Sequence, residues 1–175
     1  MKEKASYEAQ PNSPIKIIPY HFIDHRKIRR HWHEYLEILY LVSGGFTLRA
    51  DGRIFSAGEG DIIVVNPFEV HESVELSEKN EYYAFVVPPE FIQSWQKSGI
   101  SKFQSLVSDN SHCPAALKRA AELSASAKEN EFLLNSEIFR FLHFAAVSCS
   151  CPAEKNGEET EKNRFMVEDI KNRIS

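Results

Sequence analysis

His31-Trp32-His33-Glu34-Tyr35-Leu36-Glu37-Ile38-Leu39-Tyr40-Leu41-Val42-Ser43-Gly44 is the stretch whose reading decides the fold. Read as one strand over His31–Val42, it places His31, His33, Tyr35 and Glu37 on one face, because successive side chains of a strand alternate. Trp32, Leu36, Ile38, Tyr40 and Val42 take the other face. One face then needs a packed apolar layer, and the other needs a cavity that tolerates imidazoles and a carboxylate. A small β-barrel supplies both, since interior and exterior positions alternate along each of its strands.

The chain on either side repeats the strand signature. Ile15–Ile23 is β-branched and aromatic but carries Pro19, which suits an edge strand. After the Ser43-Gly44-Gly45 turn, Phe46–Ala50 and Arg53–Ser56 flank Asp51-Gly52, a strong hairpin signal. Asp61–Val65 is a continuous apolar run stopped by Asn66-Pro67, and Val70–Leu76 and Tyr82–Val87 follow. About seven short strands with turns between them mean a sandwich or barrel, not alternating β/α units.

Beyond Pro88-Pro89 the pattern becomes helical. Phe91, Ile92 and Trp95, and then Phe103, Leu106 and Val107, fit short helices, and Pro114 opens another. The strongest helix runs from Asn130 to about Ser148, with Leu134, Ile138, Phe141 and Ala145 as its leading stripe. Leu133, Leu142 and Ala146 widen the apolar arc beyond what one buried face needs, so the stripe is expected to form a homodimer seam. Residues 152–164 hold no apolar side chain larger than alanine and read as a linker. Phe165–Ser175 is again amphipathic, like the start of a further domain. Residues 1–14 are polar and proline-bearing and read as an arm; 15–88 is the barrel and 89–151 the helical segment.

The formal charge of −4 excludes the basic surplus of a general nucleic-acid binder. The local run Arg26, Lys27, Arg29, Arg30 reads as a solvated strand edge. No apolar run approaches a membrane span, and the first residues lack a signal-peptide core. Cys113, Cys149 and Cys151 make no disulfide framework, so a cytoplasmic setting is expected.

Two histidines at i and i+2 converge on one point, and Glu37 shares their face. His71, just past Asn66-Pro67, is the fourth candidate ligand. Imidazole and carboxylate donors suit zinc, iron, nickel, copper or manganese and leave room for a substrate. The same four groups can also hydrogen-bond one another and a small polar ligand with no metal present. Strand parity adds Tyr35, Ser73 and Tyr83 as further ligand contacts. His21, His25, His112 and His143 fall outside the pattern.

His31-x-His33-x3-Glu37-x6-Gly44 resembles the first conserved motif of the cupins, and Gly60-x5-Asn66-Pro67-x3-His71 resembles the second. Glu69 stands near a usual glycine of that second motif, and its late asparagine is absent. With the helices, linker and amphipathic stub added, the chain is similar to the N-terminal sensor half of AraC-type transcription regulators. The resemblance implies a cupin-like double-stranded β-helix, or jelly-roll, that binds a small effector, followed by helices that form the dimer. It also implies that DNA is recognised only by a separate domain with two helix-turn-helix units, and that the chain is not an enzyme. The rival expectation is a metal-dependent cupin dioxygenase or isomerase.

Overall fold

The continuous apolar run Ile62–Val65 and the alternating run Gly45–Ala50 demand different neighbours: the first must be covered on two faces, the second on one. The computed structural model of the chain describes residues 6–7, 18–23, 27–77, 79–96, 100–107, 112–148 and 150–152, and it provides both settings. Its strands are β1 (Ser6–Tyr7), β2 (Ile18–Ile23), β3 (His31–Trp32), β4 (Leu36–Ser43), β5 (Gly45–Ala50), β6 (Arg53–Gly58), β7 (Ile62–Val65), β8 (His71–Leu76) and β9 (Glu81–Val87). Then come α1 (Pro89–Gln96), β10 (Ile100–Phe103), β11 (Leu106–Val107), α2 (His112–Ser124), α3 (Glu131–Ser148) and β12 (Ser150–Pro152). One five-stranded sheet has the order β1-β3-β8-β5-β6, the second β11-β7-β4-β9-β2, and β10 pairs with β12.

The two sheets enclose an apolar core of Leu39, Leu41, Phe46, Leu48, Ala57, Ile63, Val65, Tyr82 and Ala84. The outer face of the second sheet carries Leu36, Ile38, Tyr40, Ile62, Val64, Phe85 and Val87, and α2 and α3 cover it with Leu117, Leu134, Ile138, Phe141 and Leu142. That is why β4, β7 and β9 read as nearly unbroken apolar runs while β5 alternates. Chain turns match their residues. Asp51 and Gly52 both have positive φ (46° and 79°), as the two-residue turn between β5 and β6 requires. Gly44 has φ 87°, and a β-carbon there would overlap the carbonyl oxygen of Lys79. β2, which contains Pro19, is an edge strand.

Three expectations need correction. The single strand His31–Val42 is two strands in opposite sheets, separated by a bend at 33–35. The segment 89–151 is not purely helical: Phe103 ends β10, and Leu106 and Val107 form β11, which pairs with β7. Their i, i+3, i+4 spacing mimics a helix, but eight residues are too few to tell the two periods apart. Last, Leu134, Ile138, Phe141 and Ala145 are not a seam between subunits. They are buried inside the domain, against α2 and the second sheet. The opposite side of α3 is the open one: Phe132 is 90% exposed and Val147 72%, with Leu133, Phe139 and His143 also exposed. No described helix is long and apolar enough to cross a membrane. The Cys149 position, the linker from 153 onward and the stub 165–175 lie outside the described residues, as does most of the arm; residues 6–7 of the arm pair with β3.

Candidate functional site

His31 and His71 are directly opposite one another across β3 and β8. The row continues through Ala50 of β5 to Arg53 of β6 on one side and to Ser6 of β1 on the other. His31 and His71 therefore share the inward face of the first sheet. Past β3 the bend brings His33 round, and β4 then enters the second sheet with Glu37 opposite Val65 and Val86. Thus two sheets, and not one strand, assemble the cluster.

Each imidazole is fixed by the carbonyl of a residue two positions away. His31 Nδ1 donates to Arg29 O at 2.8 Å, His33 Nδ1 to Tyr35 O at 3.0 Å, and His71 Nδ1 to Glu69 O at 3.0 Å. A carbonyl only accepts, so Nδ1 carries a proton in each ring, and in the neutral tautomer Nε2 holds the lone pair. One ring nitrogen from each of the three lies within 4.8 Å of the others. His31 and His71 rings are 4.1 Å apart between centroids, and His33 and His71 4.8 Å. The Nε2 atoms of His33 and His71 are buried with no hydrogen-bond partner. Such an orphan costs roughly 1–3 kcal/mol.

Glu37 Oε2 stands 3.6 Å from both of those Nε2 atoms. This is too long for a hydrogen bond. It is close to the ~3.4 Å that separates two donors bound tetrahedrally to one ion at ~2.1 Å. The donor set and its spacing thus fit a divalent transition metal, with His31, His33, His71 and Glu37 as the residues that would hold it. Burial pushes the Glu37 carboxyl up, but the His33 and His71 imidazoles outweigh this and hold it well below the usual carboxylate range. Burial pushes His33 down, against the opposing pull of Glu37. A charged carboxylate and neutral imidazole are the forms that bind a metal or accept from a polar ligand.

The other candidates are placed differently. Tyr35 is buried and stacks flat on His33, centroids 3.7 Å apart, so it forms the wall behind that ring. Ser73 faces inward, but its hydroxyl accepts the Ile28 N–H at 2.8 Å and so tethers the segment before β3. Tyr83 is not brought to the cluster: it lies opposite Tyr40 on the outer face and packs toward the helical layer. Parity had no anchor there, because Tyr82 and Tyr83 are both tyrosines and Tyr82 is the inward one. His143 is exposed on α3, edge-on to Phe144. Two residues that the sequence marked only as motif positions matter here. Asn66 and Glu69 are buried in the turn before His71, and Glu69 O is the acceptor that orients His71. An Asn-Pro followed two residues on by an acid was the available signal.

The profile of the AraC-like ligand binding domain matches residues 15–142 of this chain. The chain belongs to that family. The matched span of this AraC-like domain takes in β3, β4 and β8, and hence all four members of the cluster. No curated protein sequence matches the chain. Among solved structures it is similar to KdgF from Halomonas sp. (22% identity, TM-score 0.39, 43% of this chain and 71% of that one). It is also similar to Bacillus subtilis oxalate decarboxylase, an enzyme with Mn(II) centres (22% identity, TM-score 0.35, 45% of this chain and 22% of that one). A predicted oxalate decarboxylase from Thermotoga maritima is a third (18% identity, TM-score 0.35, 41% of this chain and 64% of that one). These likenesses span less than half of this chain and decide nothing about its chemistry.

Proposed function

We propose that this domain is the sensor of an AraC-type transcription regulator, binding a small polar effector at the inward-facing histidine–carboxylate cluster and working without catalysis. One observation carries the reading: three imidazoles each bring a ring nitrogen within 4.8 Å of the others, and Glu37 stands 3.6 Å from the buried Nε2 atoms of His33 and His71, which have no hydrogen-bond partner. In the reading offered here a divalent transition metal (zinc, nickel, iron or manganese) sits among His31, His33, His71 and Glu37. Bound there, it would supply a Lewis-acidic docking point for an oxygen of the effector. Elemental analysis of protein purified without chelator is the test. Close to one equivalent of metal is expected, and less than about a tenth overturns the metal-dependent form. The complete donor set also favours a second reading, a metal-dependent dioxygenase or isomerase, which turnover by the metal-loaded protein would establish.

The domain is further proposed to form a homodimer through the outer face of α3, where Phe132, Leu133, Phe139 and Val147 are exposed. Surfaces of this kind mark interaction sites. Val147→Glu should yield monomer in sedimentation while leaving domain stability within about 0.5 kcal/mol. A parent that is monomeric at high micromolar concentration defeats this part. Recognition of DNA is assigned to a separate domain of a parent regulator, in the cytoplasm.

A further inference from the structure

The turn between β7 and β8 holds the histidine cluster at two points. Phe68 N–H donates to His33 O at 2.8 Å, and Glu69 O accepts from His71 Nδ1 at 3.0 Å. Between these contacts Phe68 has φ 67°, a left-handed conformation that residues other than glycine rarely adopt. Its ring is 39% exposed and lies 6.3 Å, centroid to centroid, from that of Trp32, while the hydrogen bonds on either side hold its backbone.

The far side of the same turn is fastened to β10. The buried Asn66 side chain accepts Phe103 N–H at 2.8 Å and donates from Nδ2 to Phe103 O at 3.0 Å, as a neighbouring strand would. The Glu69 carboxylate accepts from Asn66 N at 3.0 Å and from Asn66 Nδ2 at 3.2 Å, and Lys102 Nζ lies 3.6 Å from its Oε1. Two buried hydrogen bonds between the Asn66 side chain and the Phe103 peptide would both break if the turn moved without the strand, so turn and strand move together. β10 in turn pairs with β12, Phe103 opposite Ser150. Both strands run alongside α3, and β12 ends where the chain continues into residues 153–175.

We infer that the Asn66–Glu69 turn couples the histidine cluster to β12: filling the cluster shifts the turn, and Asn66 carries that shift through β10 to β12 and the end of α3. The inference rests on reading the cluster as a binding site and concerns how that site is read out. Asn66 acts as a positioning residue. The strained Phe68 backbone supplies the second state, since a filled cluster and an empty one differ in how firmly they hold it.

Hydrogen exchange followed by mass spectrometry on the 175-residue chain tests this with the parent, His71→Ala, Asn66→Ala and the double variant. In chelator, His71→Ala should speed exchange of the amides at 100–103 and 150–151 by about tenfold or more, an effect absent in the Asn66→Ala background. With zinc(II) added, the same amides should slow in the parent but not in Asn66→Ala, which still takes up zinc. Asn66→Asp, which keeps the acceptor for Phe103 N–H and loses the donor, should give a partial loss; it also serves if Asn66→Ala does not fold. Additive effects of His71→Ala and Asn66→Ala, or an undiminished response at 150–151 without Asn66, overturn the coupling. A parent that fails to bind zinc defeats the metal reading instead, and the chelator arm still decides the coupling.

Discussion

Glu37, Leu39 and Leu41 point into the same barrel from one strand, yet they meet different company. Leu39 and Leu41 are packed among Phe46, Leu48, Ile63 and Tyr82, a cluster with nothing left to satisfy. Two residues away, Glu37 faces two imidazole nitrogens that have no hydrogen-bond partner. Around Leu39 and Leu41 the interior is thus a closed apolar core, and around Glu37 it is held under-bonded. The difference teaches that the fold is secured by one region, which leaves the other free to carry groups whose pairing requires something from outside.

The strongest way to break this comparison is to mutate both regions. Phe46→Ala should lower the unfolding free energy by about 3–5 kcal/mol, as large core truncations do, a large fraction of the 5–15 kcal/mol typical of a domain. Glu37→Gln should lower it by less than Phe46→Ala does while weakening metal uptake by at least about 100-fold. Urea denaturation in chelator, with a metal titration alongside, measures both. Equal losses of stability from the two variants would show that the polar region also holds the barrel together.

A smaller effect sharpens the same contrast. In chelator the polar region should make stability depend on pH, and the apolar region should not. His33 is held below its ordinary value of 6.5, so on acidification the unfolded chain takes up that proton before the folded one does. Glu37 is held below its ordinary 4.5, and its contribution, full above that value, is lost as pH falls further. Both act in one direction: stability should level off above about pH 6.5 and decline below it. Thermal melts across this range check the sign, and Glu37→Gln should flatten the lower part of the curve.

Much of the barrel was legible because its physics is local. Alternation, the Asp51-Gly52 turn and the proline in β2 each specify a conformation within a few residues. The cluster was legible too, but for an incomplete reason: His33 and Glu37 converge because a bend at Tyr35 sends the chain from one sheet to the other. Tyr83 and α3 failed alike. A periodicity gives two faces but not which of them is inward; for α3 that is settled by α2 and the second sheet, through contacts distant in sequence. β10 and the Asn66 brace were hidden because Phe103 lies 37 positions from the side chain that pairs with it.

The turn at Asp51-Gly52 also offers a way to watch the cluster. Space around Gly52 is open, with no atom within 4 Å of where a β-carbon would lie. Asp51 N–H donates to Val70 O, the residue next to His71, and Ala50 is in register with His71 itself. A cysteine placed at 52 accepts a left-handed backbone at a cost of about 1 kcal/mol. An environment-sensitive dye attached there would sit in water while its anchoring strand touched the histidine row, so the hairpin tip would report occupancy optically without entering the pocket.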